Sequence, residues 1–197
     1  MPAGGTGLVL RGLRKEPATI GKWHLGWDLT YKEGKAKTVD NIDFTKRVAN
    51  GPTDRGFDYF YGLTSPSGPP HLYMVNDMAE KQPNTRFEES GGGLYKIKGG
   101  IGHSDWSADG MQPHLADKML EYLDENKDSD KPFFLYMALT APHIPLFPSK
   151  EFKDKSKIGD YGDLVMMIDD IVGRVNRKLK EIGKYDNTIV MFAADNG

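Results

Sequence analysis

The sequence predicts an α/β fold: a mixed, largely parallel sheet flanked by helices. Three observations carry that prediction. A short apolar strand, Pro17–Ile20, opens directly into the polar run GKWHLG. Two stretches with helical periodicity, near 112–126 and 160–182, alternate with apolar runs of strand length. Polar clusters fall just after the strands, where ligands bind in open α/β sheets.

Composition narrows the reading before any element is placed. At 197 residues the chain suits one domain, or most of one. Its 26 basic and 28 acidic residues leave a net charge of −2, which offers no basic field to a nucleic acid. The absence of cysteine excludes disulfides, thiolate metal sites and a cysteine nucleophile within these residues. No apolar run approaches the roughly 20 residues that a membrane-spanning helix needs. Residues 1–17, MPAGGTGLVLRGLRKEP, read as an irregular segment whose charges follow its apolar stretch, the reverse of signal-peptide order. Residues 18–197 then form the body of the domain.

Taken in order, the first element is the strand Pro17–Ile20. From Trp27 to about Gly110 the chain is rich in Gly, Pro and Asp, with little sustained periodicity. Such a length without regular structure indicates a functional excursion carrying small local elements. Within it, GFDYFYGL (56–63) reads as an aromatic packing wedge and SPSGPP (65–70) as turn chemistry. Leu115, Met119, Leu120 and Leu123 mark one face of a helix over about 112–126. DENKDSDK (124–131) is a solvated loop. PFFLYMAL (132–139) is apolar on both faces, as a central buried strand should be, and empties into TAPHIPLFP. Leu164, Ile168, Ile171, Val175 and Leu179 predict a helix over about 160–182, with Gly183 at the C-terminal cap. TIVMFA (188–193) is the next strand and ends in ADNG. A strand, helix and strand over 132–193 imply a parallel pair with a right-handed crossover.

The candidate site residues are Lys22 and His24 after the first strand, His143 after the second, and Asp195 with Asn196 after the third. Parallel strands would bring all five to one rim. Each cluster also has a plainer reading: His143 as a loop histidine between prolines, DNG as a turn, Lys22 as a side chain reaching off a strand end. Their coincidence at three strand ends argues for a site. Asp and Asn offer hard oxygen ligands suited to calcium or magnesium. A lysine and two histidines supply charge and hydrogen bonds to an anion, and an imidazole can protonate a leaving group. A hard cation facing a cationic pocket implies a tetrahedral oxyanion between them, sulfate or phosphate.

TIGKWHLG, GFDYFYG, FFLYMALTAPHIP and DNTIVMFAADNG occur in the order of the landmarks of the formylglycine-dependent sulfatases, which the chain resembles from about Ala18 to Gly197. These enzymes include arylsulfatases and N-acetylgalactosamine-6-sulfatase and belong to the alkaline-phosphatase-like superfamily. The resemblance implies that fold and the hydrolysis of a sulfate ester to an alcohol and sulfate. It implies that Lys22 contacts the sulfate, that His24 orients the nucleophile, and that His143 binds sulfate and assists leaving-group departure. Asp195 and Asn196 would coordinate calcium. The substrate would be a sulfate-ester small molecule or sulfated glycan, in an extracytoplasmic compartment: periplasmic, secreted or lysosomal.

The chain also departs from the pattern. Sulfatases carry, upstream of the GKWH-like motif, a C/S-x-P-S-R sequence whose first residue becomes the formylglycine nucleophile, preceded by an aspartate pair on the first strand. Only 20 residues precede Gly21, and neither feature is among them; Ser65-Pro66-Ser67 lies downstream and lacks the arginine. The expectation is therefore an internal portion of a sulfatase catalytic domain, truncated at both ends, inactive alone and binding calcium weakly. Two other readings stay open: a phosphodiesterase or phosphonate hydrolase of the same superfamily, and a non-catalytic remnant that binds sulfated ligands.

Overall fold

The computed structural model describes residues 16–194. Its main sheet has five strands: β1 (Glu16–Lys22), β2 (Tyr59–Leu63), β3 (Met74–Val75), β4 (Met78–Ala79) and β7 (Phe133–Ala138), in the order β4-β3-β2-β1-β7. β1 lies between β2 and β7 and is parallel to both. β3 and β4 continue the sheet antiparallel beyond β2. A small second sheet pairs β5 (Thr85–Phe87) with β6 (Gly100–Gly102). Helices α1 (Met111–Glu125) and α2 (Asp160–Glu181) complete the frame.

Alternation along the strands divides the core. Ala18 and Ile20 of β1, with Tyr61 and Leu63 of β2, face a cluster built on Leu115 and Met119 of α1 and Leu164, Met167 and Ile171 of α2. Phe60 points the other way, into a second cluster with Trp23, Ile42, Phe44, Val48 and Met74. Residues 23–57 after β1 thus cover one face of the sheet, and the helices, joined by Tyr73, Ile97 and Trp106, cover the other.

Both helices form close to their predicted bounds, and for the predicted reason. Every position expected on the apolar face of α2 is buried: Leu164, Ile168, Ile171, Val175 and Leu179. Asp160 and Asp163 in its first turn and Lys178 and Lys180 in its last complement the helix dipole. Gly183 adopts φ 68° and donates its N–H to the Lys180 carbonyl, while Lys184 donates to Leu179, the two bonds of a Schellman cap.

Three expectations change. GFDYFYGL packs as expected, but as a parallel strand of the main sheet rather than a wedge within a loop. PFFLYMAL is an edge strand among the described residues, with Tyr136 52% exposed, so its apolar character does not mean burial on both faces. TIVMFA forms no strand: residues 188–194 are irregular, and Ile189 is 87% exposed. β-propensity does not hold a strand without a ladder partner and a face to bury, and among the described residues this segment has neither. The predicted return crossover is accordingly absent there.

One buried and one half-buried histidine give the fold a pH dependence. His71 donates Nε2–H to the Lys98 carbonyl at 2.7 Å, with its ring against Trp106 and Phe87. Burial pushes its pKa down from the usual histidine range, and burial does the same to His114. For a base with a depressed folded pKa, the unfolded chain takes up the proton first as pH falls. The stabilisation is therefore complete above about 6.5, the ordinary histidine value, and is lost below it. The urea midpoint is expected to fall between pH 7 and pH 5, and to fall less in His71→Gln; an unchanged pH slope in that variant would count against this assignment.

Candidate active site

The parallel register places the carboxyl ends of β1, β2 and β7 side by side. Lys22, the last residue of β1, lies opposite Leu63, the last of β2, and Gly21 lies opposite Ala138, the last of β7. Whatever follows these strands emerges on one rim.

After β1 the chain is pinned by Trp23. Its side chain is 7% exposed in the second core cluster, its backbone N–H donates to the Leu63 carbonyl at 2.9 Å, and its indole N–H donates to the Gly26 carbonyl at 3.1 Å. The tryptophan of GKWHLG is thus the anchor, holding a turn that carries Lys22 partly exposed and His24 exposed on either side of it. A cation and an imidazole fixed in this way can address an anion at the rim.

After β7 the anchor is Thr140, which is 3% exposed. Its N–H and its hydroxyl both donate to Oε1 of Gln112, at 3.3 and 2.9 Å, and its carbonyl accepts the N–H of His143 at 3.1 Å. The exposed imidazole of His143 lies with Nδ1 2.5 Å from the Ile144 carbonyl. A carbonyl can only accept, so Nδ1 carries the proton and Nε2 is the nitrogen left for other chemistry.

Lys22, His24 and His143 therefore stand at the same ends of adjacent parallel strands. Asp195 and Asn196, the expected metal ligands, lie outside the described residues; a carboxylate with an amide oxygen remains the donor chemistry of a hard cation. Among the described residues one acidic group has the spacing to hold a metal, with oxygens of Asp154, Asp160 and Asp163 within 4.8 Å of one another. Two of its three carboxylates already have structural partners. Asp163, fully buried, accepts the N–H groups of Asp154 and Ser156 at 2.8 and 2.6 Å, which hold its pKa below the usual carboxylate range. Asp160 pairs with Lys153. Asp163→Asn is expected to lower the melting temperature at neutral pH, because the charge that these N–H groups solvate is gone; an unchanged melt would contradict that structural role.

Sequence reasoning missed Gln112 and Thr140. It also missed the 93–95 turn, where the Leu94 carbonyl accepts the Leu146 N–H at 2.9 Å and Tyr95 meets the Phe147 ring edge-on. A glutamine on the apolar face of α1 was the available signal for the first pair. A cavity between the β3–β4 hairpin and α1, lined by Tyr73, Glu80, Lys81, His103, Asp105 and His114 among others, includes none of the predicted site residues. Its polar groups are largely held: Lys81 pairs with Asp105, and Glu80 and His114 both bond the hydroxyl of Tyr61, which lies outside the lining.

The chain is similar to an uncharacterized sulfatase, YdeN, of Escherichia coli K12, at 31% identity over 91% of this chain and 30% of that protein. It is likewise 31% identical to the N-acetylgalactosamine-6-sulfatase of Sus scrofa, over 96% of this chain and 32% of the relative. The chain thus spans about a third of the length of these curated relatives. A solved Bacteroides thetaiotaomicron structure, described in connection with the metabolism of multiple glycosaminoglycans, shares the fold at TM-score 0.71 and 20% identity, over 92% of this chain and 43% of that one. The sulfatase family model matches residues 9–197, and with the mixed α/β sheet and its rim in place, the chain belongs to the sulfatase family.

Proposed function

We propose that residues 18–197 form part of the catalytic domain of a sulfuric ester hydrolase, which cleaves a sulfate ester to an alcohol and sulfate. The observation that carries this reading is the placement of Lys22, His24 and His143 at the adjoining carboxyl ends of β1 and β7, in a chain of the sulfatase family. Lys22 and His143 contact the sulfate oxygens, and His24 helps to orient the attacking nucleophile. As an oxygen nucleophile bonds to sulfur and the ester sulfur–oxygen bond breaks, a proton on Nε2 of His143 passes to the ester oxygen, so that the alcohol leaves neutral. The Nδ1–H bond to the Ile144 carbonyl keeps the ring turned for that transfer.

Calcium held by Asp195 and Asn196 would supply positive charge opposite the sulfate. No residue of this chain fits the formylglycine motif, and no step here depends on that group. The name of the porcine relative supports a sulfated amino sugar as substrate class. Similarity to the family supports action outside the cytoplasm; among the described residues no helix is long and apolar enough to cross a membrane.

The test is release of inorganic sulfate from N-acetylgalactosamine 6-sulfate by the protein expressed from its complete reading frame, beside the matching phosphate ester. Sulfate release well above phosphate release, lost in Lys22→Ala, is the expected result. Faster turnover of the phosphate ester would reassign the protein to the phosphoester side of the superfamily, and absence of turnover on either ester would overturn the reading.

A further inference from the structure

We propose that Gln112 is a positioning residue for His143: through Thr140, its amide fixes the turn that aims the imidazole at the rim. The proposal rests on the reading of His143 above and adds to it a residue that the family motifs quoted earlier do not contain.

The buried face of α1 carries one polar exception. The other buried positions of this helix are Met111, Leu115, Ala116, Met119, Tyr122 and Leu123; Gln112, 2% exposed, is the one amide among them. A methionine is unbranched, of similar length and apolar, and would suit such a position better. The amide gains little for itself there, since Nε2 is buried with no partner among the described residues. Its oxygen, by contrast, accepts two hydrogen bonds from one residue 28 positions away, Thr140. Burying a polar side chain with half its capacity unmet is tolerated where the other half holds something in place.

What it holds is the exit of β7. Thr140 lies two residues past the strand, and its carbonyl accepts the N–H of His143, so these residues are the first and last of a tight turn. Gln112 grips the backbone and side chain of the first, from a helix packed against β1 and β2. The line from α1 to the imidazole is therefore three consecutive hydrogen-bonding groups, Gln112 Oε1, Thr140 and His143 N–H, two of whose residues are almost completely buried. Without the acceptor, the Thr140 N–H and hydroxyl are orphaned in the interior, and the turn shifts to find partners. A displacement of about 1 Å at a reacting group costs on the order of 100-fold in rate.

The experiment is a double-mutant cycle in the protein expressed from its complete reading frame, with sulfate release as the signal. Gln112→Met keeps shape and burial and removes the acceptor. It is expected to lower kcat by about 10- to 100-fold with KM nearly unchanged. In a His143→Ala background the same change is expected to cost nothing further, because the group it positions is already gone. Thr140→Ser, which keeps both donors, should retain near wild-type kcat, whereas Thr140→Val should fall with Gln112→Met. This pair also carries the test if Gln112→Met does not fold. A full additional loss from Gln112→Met in the His143→Ala background, or wild-type kcat in Gln112→Met or Thr140→Val, overturns the proposal. Wild-type turnover in His143→Ala alone overturns the reading of His143 first, and is recognised because it appears in that single variant.

Discussion

Gly62→Ala is expected to abolish the cooperative thermal transition of the domain and to send the protein into the insoluble fraction. A Cβ at position 62 would lie 1.8 Å from the Gly21 carbonyl oxygen and 2.8 Å from its carbon. Both are backbone atoms of β1, which cannot turn aside as a side chain would. The reciprocal position is as tight: a Cβ on Gly21, whose φ is +131°, would lie 2.0 Å from the Ala138 carbonyl oxygen. β1 thus runs between β2 and β7 with glycine at each close approach, and relieving either clash means parting a ladder on which both core clusters depend. Overpacking against movable side chains costs typically about 1–3 kcal/mol. A clash with fixed backbone exceeds that range and approaches the roughly 5–15 kcal/mol that holds a domain together. Gly34→Ala is the control. Its φ of +68° makes alanine strained, but nothing lies within 4 Å of the added carbon, so a loss of only about 1 kcal/mol is expected. A Gly62→Ala protein that melts like wild type would show that the strands do not approach as described.

These glycines also mark how far the sequence could be read. The helices were legible because their signal is local: apolar residues at helical spacing bury the face they define, and Gly183 caps α2 through hydrogen bonds within six residues. The rim was legible for a related reason, since Lys22, His24 and His143 follow strand-length apolar runs whose parallel pairing brings their ends together. What was not legible depended on distant partners. GFDYFYGL is a strand because β1 lies beside it, which glycine and aromatic spacing alone do not state. PFFLYMAL has the composition of a central strand but lies at the edge of the sheet among the described residues, and TIVMFA, equally apolar, pairs with nothing there. Composition reports what a segment could bury, whereas the sheet decides what is available to cover it. Gln112 belongs to the same class: its meaning lies in Thr140, on another element.

The same rim leads to the second large effect. His143→Ala is expected to lower kcat/KM for sulfate-ester hydrolysis by about 100- to 10,000-fold, the usual contribution of a positioned acid or base. The size should depend on the leaving group, and that dependence separates an acid from a residue that only binds sulfate. An alkyl sulfate leaves as a strongly basic alkoxide unless it is protonated, so its hydrolysis should suffer most. A nitrophenyl sulfate leaves as a stable phenolate that needs little help, so its hydrolysis should suffer least. Lys22→Ala, which on the proposed reading removes a charge that contacts the sulfate, should penalise both esters alike. The geometry supports the distinction: Nδ1 of His143 is committed to the Ile144 carbonyl, so one nitrogen, Nε2, is left to give up a proton, and the acid form must be charged to do so. Equal losses on the two esters would make His143 a sulfate-binding group alone, and protonation of the leaving oxygen would then fall to another residue.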